Sequence, residues 1–245
     1  MLELSFLGSA NAFTPGGRYW SSFVVNGRYV FEAPPTLLPH LKRLGLPLAD
    51  IRAVFISHFH GDHFLGLPFL FLEYIYLTPR QDDLFIVGPP GIEAKSEALA
   101  DMAFAGLSQA EATYRRVYLE AQPGGEGSLA GVRFEAQPMR HAGGRRLCCF
   151  GYKLHLDGGT VAFTGDTEMC EEIFLLAEGA DVLVLDCSYS EGEGPEHLGL
   201  LGALEVRKQV SPRTAIILTH LDDEPDVTGH QGLLVAQDFA TFRFP

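Results

Sequence analysis

The sequence is short of positive charge, of cysteine and of any long uninterrupted apolar run. Its 18 lysines and arginines stand against 31 acidic residues, a formal net charge of -13. That balance disfavours broad electrostatic capture of long nucleic acid, which needs a basic face. The four cysteines form no disulfide framework. Cys148 and Cys149 are adjacent and on a strand would point to opposite faces, while Cys170 and Cys187 stand outside any C-x-x-C spacing. All four read as reduced, mostly buried thiols. The most apolar stretch, Phe64 to Leu77, contains Glu73 and falls short of the roughly twenty residues that span a bilayer. No basic region, apolar run and small-residue cleavage site open the chain; Met1 to Leu7 reads as a first strand. Together these absences lead us to expect a cytoplasmic protein with no membrane segment.

What is present is ample material for a core, since 47% of the 245 residues are hydrophobic. We expect a single domain over 1–245. Gln122 to Gly131, with four glycines and one proline, reads as a loop inside it. Strand and helix signals alternate along the rest. Phe23 to Val25 and Tyr29 to Phe31 flank Asn26-Gly27, a hairpin signal. Helices are expected at Pro35 to Leu44, from about Phe64, at Ile92 to Ala105, near Met169 to Ala177 and near Leu200 to Val210. Strands are expected at Ile51 to Ile56, Leu84 to Val87, Val132 to Ala136, Phe150 to Leu156, Thr160 to Phe163, Val182 to Leu185 and Ala215 to Leu218. His58, His141, Asp166 and His220 each fall just past the end of an apolar strand, where residues distant in sequence can converge.

His58-x-His60-x-Asp62-His63 gathers three of the nine histidines and a carboxylate into six positions. About one chain in a thousand of this composition would do so by chance. Imidazole and carboxylate suit zinc, manganese or iron, and a tight loop can aim alternate side chains at two ions.

This motif, with His141, Thr164-Gly165-Asp166-Thr167 and Thr219-His220, resembles the metallo-β-lactamase superfamily. Leu7-Gly8-Ser9, Phe31-Glu32-Ala33 and His63-Phe64-Leu65-Gly66-Leu67-Pro68 resemble its branch of RNase Z-like enzymes and small bacterial phosphodiesterases. The resemblance implies an α/β fold, a four-layer αββα sandwich, and two divalent metal ions, zinc first among them. By it, His58, His60 and His141 would bind one ion, Asp62, His63 and His220 the other, and Asp166 would bridge them. A hydroxide held between the ions would attack the ester, with Asp62 orienting it. In Gly194-Pro195-Glu196-His197-Leu198 the resemblance makes His197 a catalytic residue, stabilising charge or protonating the leaving oxygen. Asp186 could orient an imidazole through its second nitrogen or be purely structural. His40, His155 and His230 match no motif position and read as structural or solvated.

Only residues 142–165 separate His141 from Asp166, which leaves no room for the tRNA-gripping arm of the resembling enzymes. No cysteine precedes Cys148, so the extra cysteine-rich zinc site of a cyclic-phosphate branch is absent. Glu32 stands where the family usually has aspartate. These departures lead to a two-metal phosphodiesterase acting on a small or cyclic phosphate ester, with long nucleic acid disfavoured. Competing readings are a carboxylic ester or thioester hydrolase, an RNA 3′-processing endonuclease, and a non-catalytic metal-binding domain. An apolar helix from Phe64 to Leu77 is expected to form a homodimer contact.

Overall fold

A computed structural model of the chain describes residues 1–129, 131–141 and 149–245. Cys148, and part of the short span between His141 and Asp166, therefore lie outside the described residues. The strands run in chain order as β1 (Leu2–Gly8), β2 (Ser22–Val25), β3 (Tyr29–Phe31), β4 (Ala53–Phe55), β5 (Leu84–Gly88), β6 (Arg116–Glu120) and β7 (Gly125–Leu129). They continue as β8 (Val132–Met139), β9 (Cys149–Leu156), β10 (Gly159–Phe163), β11 (Val182–Asp186), β12 (Ala215–Thr219), β13 (Leu233–Val235) and β14 (Thr241–Phe244). Between them lie α1 (Leu37–Arg43), α2 (Gly61–Phe64), α3 (Leu67–Tyr76), α4 (Ile92–Ala103), α5 (Glu172–Ala177) and α6 (Leu200–Gln209).

Two seven-stranded sheets result, ordered β14-β1-β2-β3-β4-β5-β6 and β13-β12-β11-β10-β9-β8-β7. Their inner faces share one apolar layer. Phe23, Phe31 and Phe55 stack in a column, with centroids 4.7 and 5.0 Å apart, and Phe163 from the other sheet meets Phe23 and Phe31 edge-on. Offset and edge-on pairing is the geometry that aromatic quadrupoles favour. A second apolar layer packs α1, α3 and α4 on the outside of the first sheet, and a third packs α5 and α6 on the second. The order helix, sheet, sheet, helix is the expected αββα sandwich.

Each half repeats one device. Strands β3, β4, β5 and β6 are parallel, as are β10, β11, β12 and β13. Parallel neighbours end at the same sheet edge, so the residues following them emerge together. That edge carries the histidines.

Three local expectations change. Gln122 to Gly131 is not all loop: Gly125–Leu129 is an edge strand paired to β8, Gly127 opposite Phe134. A Cβ at Gly127 would lie 2.4 Å from the Phe134 ring, so glycine here admits a close approach and does not signal flexibility. The helix from Phe64 is broken at Leu65-Gly66, because Gly66 sits against Pro34, where a Cβ would lie 2.1 Å from the carbonyl oxygen. Strands β6, β13 and β14 were not anticipated at all. The hairpin at Asn26-Gly27 forms as expected, both residues with positive φ, and Arg28 N–H donates back to the Val25 carbonyl.

No helix among the described residues is long and apolar enough to cross a membrane. Cys149 and Cys187 are buried and Cys170 half-buried, all three unpaired. His40 is buried against Tyr19 and Phe239, His155 pairs with Glu135 at 2.6 Å, and His230 is exposed.

Candidate metal centre

Asp166 lies on the turn after β10, where Gly165 adopts a positive φ and a Cβ would lie 2.6 Å from that of Ser57. This close approach joins the two sheets at the site. Around the Oδ2 atom of Asp166 lie the Nε2 atoms of His63 (3.3 Å), His220 (3.4 Å), His58 (3.7 Å) and His141 (3.8 Å). The Asp62 Oδ2 atom stands 3.1 Å from His63 Nε2 and 3.5 Å from His220 Nε2. His60 Nδ1 stands 3.4 Å from His141 Nε2. All seven residues expected at the site are thus brought together.

They fall into two groups. His58, His60, His141 and Asp166 present ligand atoms within 4.8 Å of one another, and so do Asp62, His63 and His220. Asp166, Asp186, His197 and His220 form a third, overlapping group. Whether such a set suits a cation can be judged from the atoms without partners. His58 Nε2, both ring nitrogens of His63, and His220 Nε2 are buried and accept or donate no hydrogen bond. A buried unpaired polar atom costs about 1–3 kcal/mol, and four of them facing carboxylates are what divalent ions would satisfy. Nitrogen and oxygen donors fit zinc, manganese or iron alike.

The far nitrogens are held differently in the two groups. His58 Nδ1 meets the Ser57 hydroxyl at 2.8 Å, and His141 Nδ1 meets the Glu196 carbonyl at 2.9 Å. Both partners are uncharged. His63 Nδ1 lies 3.5 Å from the fully buried Glu32 carboxylate, which also accepts from the Ser57 N–H. His220 Nδ1 meets the Ser188 hydroxyl at 2.6 Å, and that hydroxyl donates to Asp186.

Proton affinities divide along the same line. Burial, with the neighbouring His63, pulls His58 well below the ordinary histidine value, and burial with His141 lowers His60. Burial works against protonation of His63 too, but Asp166, Asp62 and Glu32 outweigh it and hold it well above. Burial likewise opposes the carboxylates Asp166, Asp186 and Asp62 at His220, which is nevertheless pushed up to about 10.

His197 stands beside the cluster, half-buried, with Nδ1 2.9 Å from Asp186 and 4.0 Å from Asp166. Burial depresses its proton affinity, yet Asp186 reverses this and leaves it raised. Asp186, uncertain in the sequence between an orienting and a structural role, orients both His197 and, through Ser188, His220. The sequence reading missed Ser57, Ser188 and the Glu196 carbonyl. Ser57 and Ser188 had a signal: one precedes His58, and the other lies two residues past Asp186 at the end of β11, on the same side by strand parity. The Glu196 carbonyl had none.

Among the described residues, three of the six non-glycine residues with positive φ lie here: Glu32 (65°), Glu196 (66°) and His220 (61°). Such φ values are uncommon outside glycine and gather at functional sites.

A family model described as a β-lactamase superfamily domain matches residues 27–221. The chain is 24% identical to Ribonuclease Z of Methanothermobacter thermautotrophicus, the alignment covering 90% of this chain and 87% of that protein. Among solved structures, the short form of human tRNase Z superposes with a TM-score of 0.79 at 21% identity, covering 99% of each chain. A diphosphatase of the PhnP family does so with a TM-score of 0.77 at 19% identity, covering 100% of this chain and 98% of the other. These likenesses bear out the fold. They also overturn one expectation: a preference for small phosphate esters with nucleic acid disfavoured does not stand beside a full-length relative that is a ribonuclease. The net charge of -13 misled because it sums the whole surface. A substrate meets only this edge, where histidines and divalent ions would set the local field.

Proposed function

We propose, for a chain that belongs to the β-lactamase superfamily, a two-metal phosphodiesterase that cleaves RNA. At the level of the superfamily it is a metal-dependent hydrolase. The observation that carries the finer reading is the placement of Asp166 between two histidine groups, with His197 held beside it by Asp186.

His58, His60 and His141 would hold one divalent ion, and Asp62, His63 and His220 the second, with Asp166 shared. Zinc is the first candidate, and manganese and iron use the same donors. Bound there, the ions would supply Lewis acidity toward the phosphate and an activated water. The chain's own residues do the rest. Asp62, one oxygen near His63 and His220, keeps carboxylate character, because those histidines outweigh its burial and hold its acidity high. Its second oxygen can orient the attacking water. Asp186 holds His197 Nδ1 and raises the ring's proton affinity, so that a protonated ring would present Nε2–H to steady phosphate charge or to protonate the leaving oxygen.

The test is hydrolysis of a chromogenic phosphodiester and of a 3′-extended RNA by metal-loaded protein, wild type against His197→Ala. We expect a loss of about 10²–10⁴-fold in the variant with metal content unchanged. No turnover of either substrate by fully metallated wild type would sink the reading.

A single domain over 1–245 and a homodimer belong to the same proposal. The aromatic layer shared by both sheets supports the first. Leu65, Phe69, Tyr76 and Leu77, apolar and exposed on and around α2 and α3, support the second. A monomeric mass by light scattering at micromolar concentration would count against the dimer. A cytoplasmic location fits the three unpaired thiols among the described residues.

A further inference from the structure

Phe13 is 88% exposed, more than any other large apolar side chain among the described residues. Scattered exposed apolar residues are ordinary. Met102, at 83%, is one, standing on the outer helix α4. Phe13 differs in two respects.

Its backbone is pinned. Asn11 N–H donates to the Leu221 carbonyl and Ala10 N–H to the Tyr19 carbonyl. Phe13 N–H donates to the Asn11 side-chain oxygen at 3.1 Å. The Trp20 indole N–H donates to the Ala12 carbonyl at 3.1 Å, and Thr14 N–H to the Asn11 carbonyl. Hydrogen bonds on both sides thus fix the backbone that presents an aromatic ring to water, where burial would have been favourable. Its position is also particular. Phe13 lines a cleft of about 190 Å³ together with Asn11, Ser188, Tyr189, His197 and His220. Two of those residues belong to the candidate reaction centre. The Tyr189 ring is itself fixed, its hydroxyl donating to the Pro195 carbonyl.

We infer that this cleft is a nucleobase subsite, in which Phe13 is the stacking platform for the base next to the scissile phosphate. The inference rests on the phosphodiesterase reading and names part of its substrate. A phosphodiester at the centre carries a nucleoside on each side, and the cleft opens beside His197 and His220. Stacking tolerates any base, because each has a π-face. Asn11, its side-chain oxygen taken by the Phe13 N–H, retains an NH₂ donor for a base edge.

The experiment uses metal-loaded protein and a short single-stranded oligoribonucleotide containing 2-aminopurine, whose fluorescence is quenched by stacking. Stopped-flow mixing reads the binding phase before turnover. We expect wild type to quench the probe, Phe13→Ala to bind about tenfold more weakly with most of the quenching lost, and Phe13→Trp to retain both. In steady state the Phe13→Ala loss on RNA should exceed its loss on the chromogenic diester by about tenfold, mainly in KM. Equal quenching and affinity in wild type and Phe13→Ala would overturn the platform and leave the phosphodiesterase reading untouched. Failure of wild type to hydrolyse the diester would instead remove that reading, whatever the residue at position 13.

Discussion

The two histidine groups that meet at Asp166 are built from the same side chains but backed by different chemistry. Behind His58 and His141 stand a hydroxyl and a peptide carbonyl; behind His63 and His220 stand the buried carboxylates Glu32 and Asp186. A neutral partner fixes the tautomer and places no charge beside the ring. A carboxylate partner makes the ring more basic, and so a stronger donor to a cation, but also a stronger competitor for protons. His58 and His60 hold protons weakly, whereas His63 and His220 hold them firmly and must give them up to bind a cation.

Breaking the shared residue should have the largest effect. Asp166→Asn is expected to lose metal from both groups and to lower diester hydrolysis by about a thousandfold or more, read by elemental analysis and initial rates. Asp186→Asn should separate the groups. It removes the charged support of His197 and His220, though the amide oxygen can still accept the Thr167 N–H beside Asp166. One ion should weaken by about 10–100-fold while the other stays bound. Equal weakening of both ions would mean that the asymmetry is only geometric. Ser57→Ala probes the neutral side and should cost about fivefold in affinity for the ion at His58, the worth of one ordinary hydrogen bond.

Proton bookkeeping sharpens the comparison without any substitution. Calorimetric zinc titrations in buffers of different ionisation enthalpy should show release of roughly two protons at pH 7, from His63 and His220. Without metal, the depressed His58 and His60 stay neutral while the unfolded chain takes up protons, so stability rises with pH through the ordinary histidine value of 6.5. The raised His220 contributes fully below 6.5, and that contribution is lost as pH climbs toward about 10. The thermal midpoint of chelator-treated protein should therefore peak near neutrality. A decline on the alkaline side that persists unchanged in His220→Ala would assign it to other groups.

The ligand set was legible because metal chemistry restricts residue type and strand ends restrict position. His58 to His63 announce themselves by spacing, and His141, Asp166 and His220 by following apolar strands. Asp186 was half legible for the same reason. The support of His141 was not, since a backbone carbonyl at Glu196 leaves no mark on residue identity. Strands β6, β7, β13 and β14 lie at or beside sheet edges, where half-exposed positions blur the alternation that reveals a strand. At β7 the glycine that allows contact with Phe134, Gly127, is a residue that ordinarily signals a loop. The substrate class was misjudged from a sum of charges, which carries no positions, and from the short span between His141 and Asp166, which speaks only to one way of gripping RNA.

The left-handed backbone of Glu32, Glu196 and His220 has a consequence for anyone evolving this protein. Glycine at any of the three would relax the main chain, at His220 and Glu32 while deleting a side chain that the centre uses. A library selected only for survival of heating should therefore drift toward glycine at Glu196, of which the centre uses only the carbonyl. At Glu32 and His220 the buried side chain is itself part of what holds the fold, so both should persist even without selection for turnover.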